Sequence, residues 1–362
     1  MWVVLGTRPE AIKLAPVVLA LRRAGMPTRL VVTGQHRHLV HPALESFGLV
    51  PDEDLEVEPG PDLARTMARL LDRLAARLAE ARPARVMVHG DTATTVAATL
   101  AAFYAGIPVA HVEAGLRTGE LDAPFPEEAN RLVVDRLATW WFAPTAHAAE
   151  TLLAEGCESS RVHVTGNTAV DAVLAMHARV AGRPLGHWSD QLGRLATVGE
   201  GREWAVVTAH RRESIPEGLR GIAEGIRRLA RRRPDMAWIV LLHPNPAVRE
   251  VFLPALEGIP EVYCLDPLTY DLTVRLIGGA AVVLTDSGGL QEEAPTLGVP
   301  VVVLRDQTER IEGVAAGWLT VCGTEPEAIV TAAEAVLHER RRGAPLPFGD
   351  GRAALRIVEE LS

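Results

Sequence analysis

Short apolar runs and amphipathic helical stretches alternate along nearly all of this chain of 362 residues, and the alternation comes in two series. A strand buried on both faces reads as a continuous apolar run, and parallel neighbours need a long, usually helical crossover. The pairing of those signals is the signature of a doubly wound parallel α/β sheet. In the first series, Trp2-Val3-Val4-Leu5 reads as a strand, Gly6–Pro9 as a turn and Glu10–Ala24 as a helix. A strand at Leu30–Thr33 and a helix near His41–Phe47 follow. Next comes a helix with Leu63, Met67, Leu70, Leu71, Leu74 and Leu78 on one face. The series continues with the strand Arg85–Val88, the helix Ala93–Tyr104, the strand Pro108–Val112 and the helix Glu127–Leu137. It closes on strands at Trp140–Phe142 and Arg161–Val164.

The second series has strands at Trp204–Val207, Ala237–Leu242, Glu261–Leu265, Ala281–Leu284 and Val299–Leu304, with helices between them. Ala181–Gly201, rich in glycine and polar residues and without a period, reads as the region just after a domain junction. The last helix, Gly351–Leu361, follows Pro345-Leu346-Pro347-Phe348-Gly349 and is expected to cross back to the first domain. The expected organisation is an N-terminal domain over 1–167 joined by the C-terminal helix 350–362, and a C-terminal domain over 168–349. Two such domains predict a ligand cleft between the C-terminal edges of their sheets.

Composition narrows the setting. Apolar residues make up 48% and no low-complexity tract interrupts them, so a compact soluble chain is expected. Met1-Trp2-Val3-Val4 enters a strand at once, and no apolar run approaches the roughly 18 residues of a spanning helix. Neither export nor a membrane span is therefore expected. Cys157, Cys264 and Cys322 are far apart and odd in number, which fits reduced thiols in a cytoplasm and offers no metal site. A net charge of -9 argues against nucleic acid as a general partner. An anionic ligand would need local cations and helix ends.

The 37 basic residues are 36 arginines and one lysine, Lys13, within Gly6-Thr7-Arg8-Pro9-Glu10-Ala11-Ile12-Lys13. Where arginine has replaced nearly every lysine, a survivor marks a site that needs a compact ammonium; one leftover surface lysine is the plainer alternative. Lys13 is predicted in the first turn of its helix, where a cation opposes the macrodipole, and a phosphate bound there would account for it.

Chemistry-bearing residues cluster after predicted strands: His89-Gly90-Asp91-Thr92, His111-Val112-Glu113-Ala114-Gly115, Pro126-Glu127-Glu128, Thr208-Ala209-His210-Arg211, and Asp286-Ser287-Gly288-Gly289 through Glu293. Each has a local explanation too. Asp91 is placed to cap the helix near Ala93, Ser214 and Glu217 form a capping-box pattern, and Glu127 and Glu128 suit a helix start. Five such motifs at one edge of two sheets point further. Ser287, Gly288 and Gly289 let backbone N–H groups approach a diphosphate. Glu293 suits ribose hydroxyls, and Arg8, Lys13, His210 and Arg310 supply positive charge. Asp91, Glu113 and Glu127 gather carboxylates for proton work. Together these suggest chemistry on a nucleotide sugar.

The runs GTRPEAIKLAPV, TGQH, HGDTATT, HVEAGLRTG, PFPEEANR, TGNTAVDAV, TAHRRES and TDSGGLQEEAPTLGVPVVVLRDQTER carry a resemblance over nearly the whole chain, from Val4 to Arg356. The sequence resembles the non-hydrolysing UDP-N-acetylglucosamine 2-epimerases. The resemblance implies a glycosyltransferase-B-like fold of two Rossmann-like domains facing a central cleft. It implies a homodimer that interconverts UDP-N-acetylglucosamine and UDP-N-acetylmannosamine without NAD or metal, as for surface polysaccharide supply. By resemblance, Asp91, Glu113 and Glu127 are acid/base candidates, and His210 contacts the leaving diphosphate or its proton. Arg8, Lys13, Ser287, Gly288 and Gly289 fall on the diphosphate, Glu293 on the ribose, and Arg310 on uridine or phosphate.

Some members also bind a second UDP-N-acetylglucosamine as activator. The matching residues are Gln35, His36 and His38, with Arg69 and Arg211. His38 stands where relatives often carry Gln or Glu, and Thr273 where an aromatic is expected, which bears on activation and uracil packing. The reaction itself explains the residue types. No carbonyl adjoins C2 of the sugar, so direct deprotonation is closed; loss of UDP from C1 acidifies C2–H and gives a 2-acetamidoglucal. Reprotonation at C2 and return of UDP then need cations on the diphosphate and acid/base groups by the sugar. A glycosyltransferase of the same fold would not need three first-domain carboxylates. A nucleotide-sugar sensor would bind without turnover, and a hydrolysing epimerase would release free sugar.

Overall fold

The computed structural model describes residues 1–122, 124–193, 195–198, 201–210, 216–339 and 347–362. Its elements fall into two compact units, Met1–Ala172 with Phe348–Ser362, and Val173–Pro347. The first unit contains β1 (Trp2–Leu5), α1 (Arg8–Arg23), β2 (Arg29–Val32), α2 (Arg37–Ser46), β3 (Glu53–Asp54) and α3 (Leu63–Ala81). It continues with β4 (Val86–His89), α4 (Ala93–Tyr104), β5 (Val109–Val112), α5 (Glu127–Leu137), β6 (Trp140–Ala143), α6 (Ala146–Ala154) and β7 (Val162–Val164). The division falls within α7 (Thr168–Val180). The second unit then holds α8 (Ser189–Leu192), α9 (Leu195–Val198), β8 (Trp204–Thr208), α10 (Glu217–Arg232), β9 (Ala237–Leu241), α11 (Pro246–Leu256) and β10 (Val262–Leu265). After these come α12 (Tyr270–Gly278), β11 (Val282–Thr285), α13 (Gly288–Thr296), β12 (Val301–Val303), α14 (Ile311–Ala315), β13 (Leu319–Val321) and α15 (Pro326–Glu339). Finally α16 (Ala353–Leu361) returns to the first unit.

Each unit carries one sheet whose strands, among the described residues, all pair in parallel, in the orders β3-β2-β1-β4-β5-β6-β7 and β10-β9-β8-β11-β12-β13. The chain reverses its winding between β1 and β4 in the first sheet, and between β8 and β11 in the second. Ligands of such sheets bind outside the carboxyl ends of the strands at that switch point. The strands are covered on both faces: β1, β4, β5 and β11 are buried at every residue. One buried position of β5 is a histidine, His111, which needs hydrogen-bond partners in place of water.

Local chemistry explains where the helices begin. α1 starts at Arg8, two residues before the predicted Glu10, because Thr7 and Glu10 form a reciprocal capping box and Pro9 is tolerated in a first turn. Lys13 is consequently the sixth helical residue, in the second turn instead of the first. α2 begins at Arg37, four residues ahead of expectation, and takes in His38. α3 is capped by Asp62, which accepts the N–H of Arg65, and buries Leu70, Leu74 and Leu78 completely, whereas Leu63 stays exposed. Thr92, not Asp91, caps α4 by accepting from the N–H of Thr95. Pro216 stands at the N-cap of α10; Ser214 lies outside the described residues, so its predicted capping box does too.

Other boundaries moved for physical reasons. The aperiodic stretch after Ala181 folds into a 3₁₀ turn (Leu185–Trp188), α8 and α9, pieces too short to show a period. β3 is two charged residues, and β13 three residues; neither offers an apolar run to read. α16 starts at Ala353 because Gly351 takes a left-handed φ of 75°. Asp171 of α7 then accepts the N–H groups of Ala353 and Ala354, capping α16 from outside. Among the described residues no helix is long and apolar enough to cross a membrane.

Candidate active site

The switch point of the first sheet is held together by Glu10. This carboxylate is buried, and its Oε2 accepts the N–H groups of Gly6 (2.9 Å) and Thr7 (2.7 Å). Its Oε1 lies 2.7 Å from the Thr92 hydroxyl and 3.0 Å from that of Thr95. One side chain thus ties the loop after β1 to the loop after β4.

Around it the predicted acid/base residues come together. Lys13 donates to Glu113 Oε1. His89 Nε2 lies 3.6 Å from Glu113 Oε2. Asp91 is gripped by Arg131 at Nε (2.9 Å) and Nη2 (2.8 Å), and the same guanidinium donates to Glu128 at 2.8 Å. The Glu128 carboxylate also accepts the N–H groups of Thr118 and Gly119. Burial of the Asp91 carboxyl pushes its pKa up; Arg131 opposes this and the charge of Glu113 adds to it. Burial drives His89 the other way, down to about 3, against the pull of Glu113. Glu128 is held below its ordinary value: burial opposes, but the two backbone donors and Arg131 prevail. Glu127 opens α5, and its buried Oε2 has no hydrogen-bond partner. Glu113 itself has φ 66°, a left-handed backbone at a residue other than glycine, the kind of strain that gathers at functional sites.

Lys13 is thereby placed against a carboxylate of its own unit, where the sequence suggested a diphosphate. Arg8, half-buried, is the first residue of α1.

At the second sheet's switch point, Asp286 is fully buried at the end of β11. Its Oδ2 accepts the backbone N–H of His210 at 2.6 Å, and its Oδ1 lies 3.2 Å from His210 Nδ1. The His210 ring stacks on His243, with centroids 5.0 Å apart. Ser287 is the N-cap of α13 without bonding through its side chain, and Gly288 and Gly289 form the first turn. A Cβ on Gly288 would come within 3.0 Å of the Arg310 guanidinium, which Glu292 holds through Nε (3.0 Å) and Nη2 (2.9 Å). Glu293 is buried in α13 and accepts from the Tyr270 hydroxyl at 3.4 Å. This edge therefore joins helix-end N–H groups, a fixed arginine and an oriented histidine, the parts of an anion site.

The residues matched to an activator lie in the first unit, except Arg211, which is outside the described residues. Gln35 accepts from Thr94 at 2.9 Å, His36 and His38 are exposed, and Arg69 donates to the carbonyls of Glu58 and Pro59. Thr273 is half-buried and its hydroxyl donates to the carbonyl of Thr269, the N-cap of its helix. No group of three or more potential metal ligands occurs among the described residues.

Two parallel sheets of seven and six strands, each carrying polar groups at its switch point, define an α/β protein of the glycosyltransferase-B kind. Residues 19–362 match the family model described as UDP-N-acetylglucosamine 2-epimerase. The Escherichia coli K12 protein named UDP-N-acetylglucosamine 2-epimerase is 42% identical over 370 residues, covering 99% of this chain and 97% of that protein. A Neisseria meningitidis UDP-GlcNAc 2-epimerase solved with UDP-GlcNAc bound superposes with a TM-score of 0.91 at 39% identity, over 99% of this chain and 98% of that one. A Methanocaldococcus jannaschii UDP-GlcNAc 2-epimerase in complex with UDP-GlcNAc and UDP gives 0.86 at 33%, with 99% and 98% covered. The chain belongs to the UDP-N-acetylglucosamine 2-epimerase family.

Several contributors escaped the sequence reading. Arg131 stands three residues after Glu128 in a helix, the spacing of an ion pair, and was legible in principle. Asp286 and His89 lay inside motifs already noted but carried no assigned role. Glu10 fits a capping box with Thr7, but its bonds to Thr92 and Thr95 span 82 and 85 residues, and the His111–Asp135 pair spans 24, which no local pattern encodes.

Proposed function

We propose that this protein reversibly epimerises C2 of UDP-N-acetylglucosamine, giving UDP-N-acetylmannosamine through elimination of UDP and its re-addition to 2-acetamidoglucal. The observation that carries the reading is the grouping of Asp91, Glu113 and Lys13 at one switch point. Burial raises the pKa of Asp91 against the pull of Arg131, whereas Glu113 is ion-paired with Lys13. Two carboxyls in such different surroundings suit a reaction in which one group removes a C2 proton and another returns it. Glu127, with its unpartnered oxygen, is the third candidate for proton work.

The departing diphosphate calls for the other set: the α13 N-terminus at Ser287, Gly288 and Gly289, the Arg310 guanidinium, and His210 held by Asp286. Glu293 takes the ribose hydroxyls, and Arg8 adds positive charge. Lys13 is reassigned in this scheme from diphosphate contact to counter-ion of Glu113. We further propose a cytoplasmic homodimer that needs neither NAD nor metal, and that supplies precursors for surface polysaccharide. Gln35, His36, His38, Arg69 and Arg211 remain the proposed contacts of an activating second nucleotide sugar.

The test is incubation of the pure protein with UDP-N-acetylglucosamine in D2O, followed by proton NMR. Deuterium at C2 in a mixture of both UDP-sugars is the expected result. Free N-acetylmannosamine as sole product would replace this reading by hydrolysis, and a substrate without deuterium would end it.

A further inference from the structure

We propose that Asp135 holds His111 with a proton on both ring nitrogens, so that His111 Nε2–H fixes the peptide linking Gly90 to Asp91; His111 and Asp135 are positioning residues for the Asp91 carboxyl. Both side chains are buried, His111 in the middle of β5 and Asp135 on α5. His111 Nδ1 lies 2.6 Å from Asp135 Oδ1, and Nε2 lies 2.8 Å from the Gly90 carbonyl oxygen. A carbonyl oxygen only accepts, so Nε2 carries a proton. Asp135 Oδ2 accepts from the N–H of Gly115 (3.1 Å) and from Arg117 Nη1 (2.8 Å), and both of those are only donors.

That leaves one proton to place, between Oδ1 and Nδ1. Two pure donors already sit on Oδ2, one of them the Arg117 guanidinium, and they favour the ionised carboxylate, which puts the proton on nitrogen; burial works the other way, yet the carboxyl is held below its ordinary range. The other charged group facing the network is Glu155, which takes the far side of the Arg117 guanidinium at 2.7 Å and 2.9 Å. Trp141 Nε1 donates to the backbone oxygen of Asp135 at 2.8 Å, which satisfies that carbonyl as well.

The geometry says what the pair acts on. The carbonyl of Gly90 belongs to the peptide whose N–H is that of Asp91. The next carbonyl, that of Asp91 itself, accepts from Asn130 Nδ2 at 2.7 Å. Asp91 is thus pinned on both sides, once by His111 and once by α5. Gly90 has φ 66°, and a Cβ there would lie 3.2 Å from Glu113 Oε2, so the loop runs close beside the second carboxylate. Gly115, at φ 87°, closes the network where a Cβ would sit 2.2 Å from the Ala148 oxygen.

The experiment uses the full chain labelled with 15N-histidine, and the His111 signals are those lost in His111→Gln. Two ring N–H signals from His111 are expected in the native protein. In Asp135→Asn the oxygen can still accept from Gly115 and Arg117 while the amide donates to a bare Nδ1. One ring N–H is then expected with every hydrogen bond kept. In that variant kcat should fall about tenfold or more while KM stays within about twofold, the mark of a misplaced group as opposed to lost binding. A single ring N–H in the native protein overturns the proposal, whether or not the variant folds. Native kcat with only a lowered unfolding midpoint also overturns it and leaves a core polar pair. The kinetic arm rests on the epimerase reading: a native protein that puts no deuterium on C2 fails that reading, and the ring spectrum still judges His111.

Discussion

The two sheets wind the same way, yet their switch points are built from opposite materials. Between β1 and β4 the loops are cross-linked by buried carboxylates, threonine hydroxyls and ion pairs, with Glu10, Asp91 and Glu113 all engaged inside their own unit. Between β8 and β11 the described residues set one buried aspartate on one histidine and open α13 on Ser287, Gly288 and Gly289, with Arg310 held by Glu292 beside them. A proton-transfer group works only if its pKa and direction are fixed beforehand, so the first edge is dense with partners. On the proposed reading a diphosphate binds the second edge; it brings its own charge and asks for donors, which small residues and a helix end suit. One scaffold serves both ends because the switch point fixes a place without fixing its chemistry.

The contrast can be broken at its strongest point first. Asp91→Asn keeps size and most hydrogen bonds but removes the proton carrier, and should lower turnover by about a hundredfold to ten-thousandfold with UDP affinity nearly unchanged. Steady-state kinetics beside UDP titration calorimetry check it; equal losses in both would blur the division between the edges. Gly288→Val tests the other side. The new side chain must shift the Arg310 guanidinium beside Glu292, so UDP binding should weaken about tenfold. Unchanged UDP affinity would remove α13 from the proposed anion site.

The smallest effect asks whether surface charge in the first unit matters as its buried charge does. Asp350 is held down to about 2, first by its hydrogen bond from Arg356. A depressed carboxyl stabilises above its unfolded pKa and loses that contribution as pH falls through the folded value. Asp350→Asn should therefore cost under about 1 kcal/mol at neutral pH, because both side chains face water. The gap from the native protein should close between pH 4 and about 2 in acid unfolding followed by circular dichroism. A gap that widened toward low pH would contradict the assignment.

Fold was legible in the sequence wherever an element was long and apolar. Ala93–Tyr104 was read to the residue although its cap is Thr92 and not the expected Asp91, and Glu127–Leu137 because an acidic first turn marks its start. The capping box at Thr7 shifted α1 and took Lys13 with it, since Pro9 made the first turn look like a loop. Asp91, Glu113 and His210 were visible as residue types at strand ends. What they touch was not: the partners of Asp91 and Glu113 are 40 and 100 residues away, a separation that no local pattern encodes.

The capping of α16 by Asp171 has a consequence during synthesis. The unit that carries Asp91 and Glu113 takes its last helix from Phe348–Ser362, after the whole of Val173–Pro347 has been made. A nascent chain that has only reached Ala172 has exposed α1 without the helix that packs on it, whereas the second unit is contiguous and free to fold as it emerges. The unit proposed to handle protons therefore completes its core only after the second unit has been made, although most of its residues are translated before it.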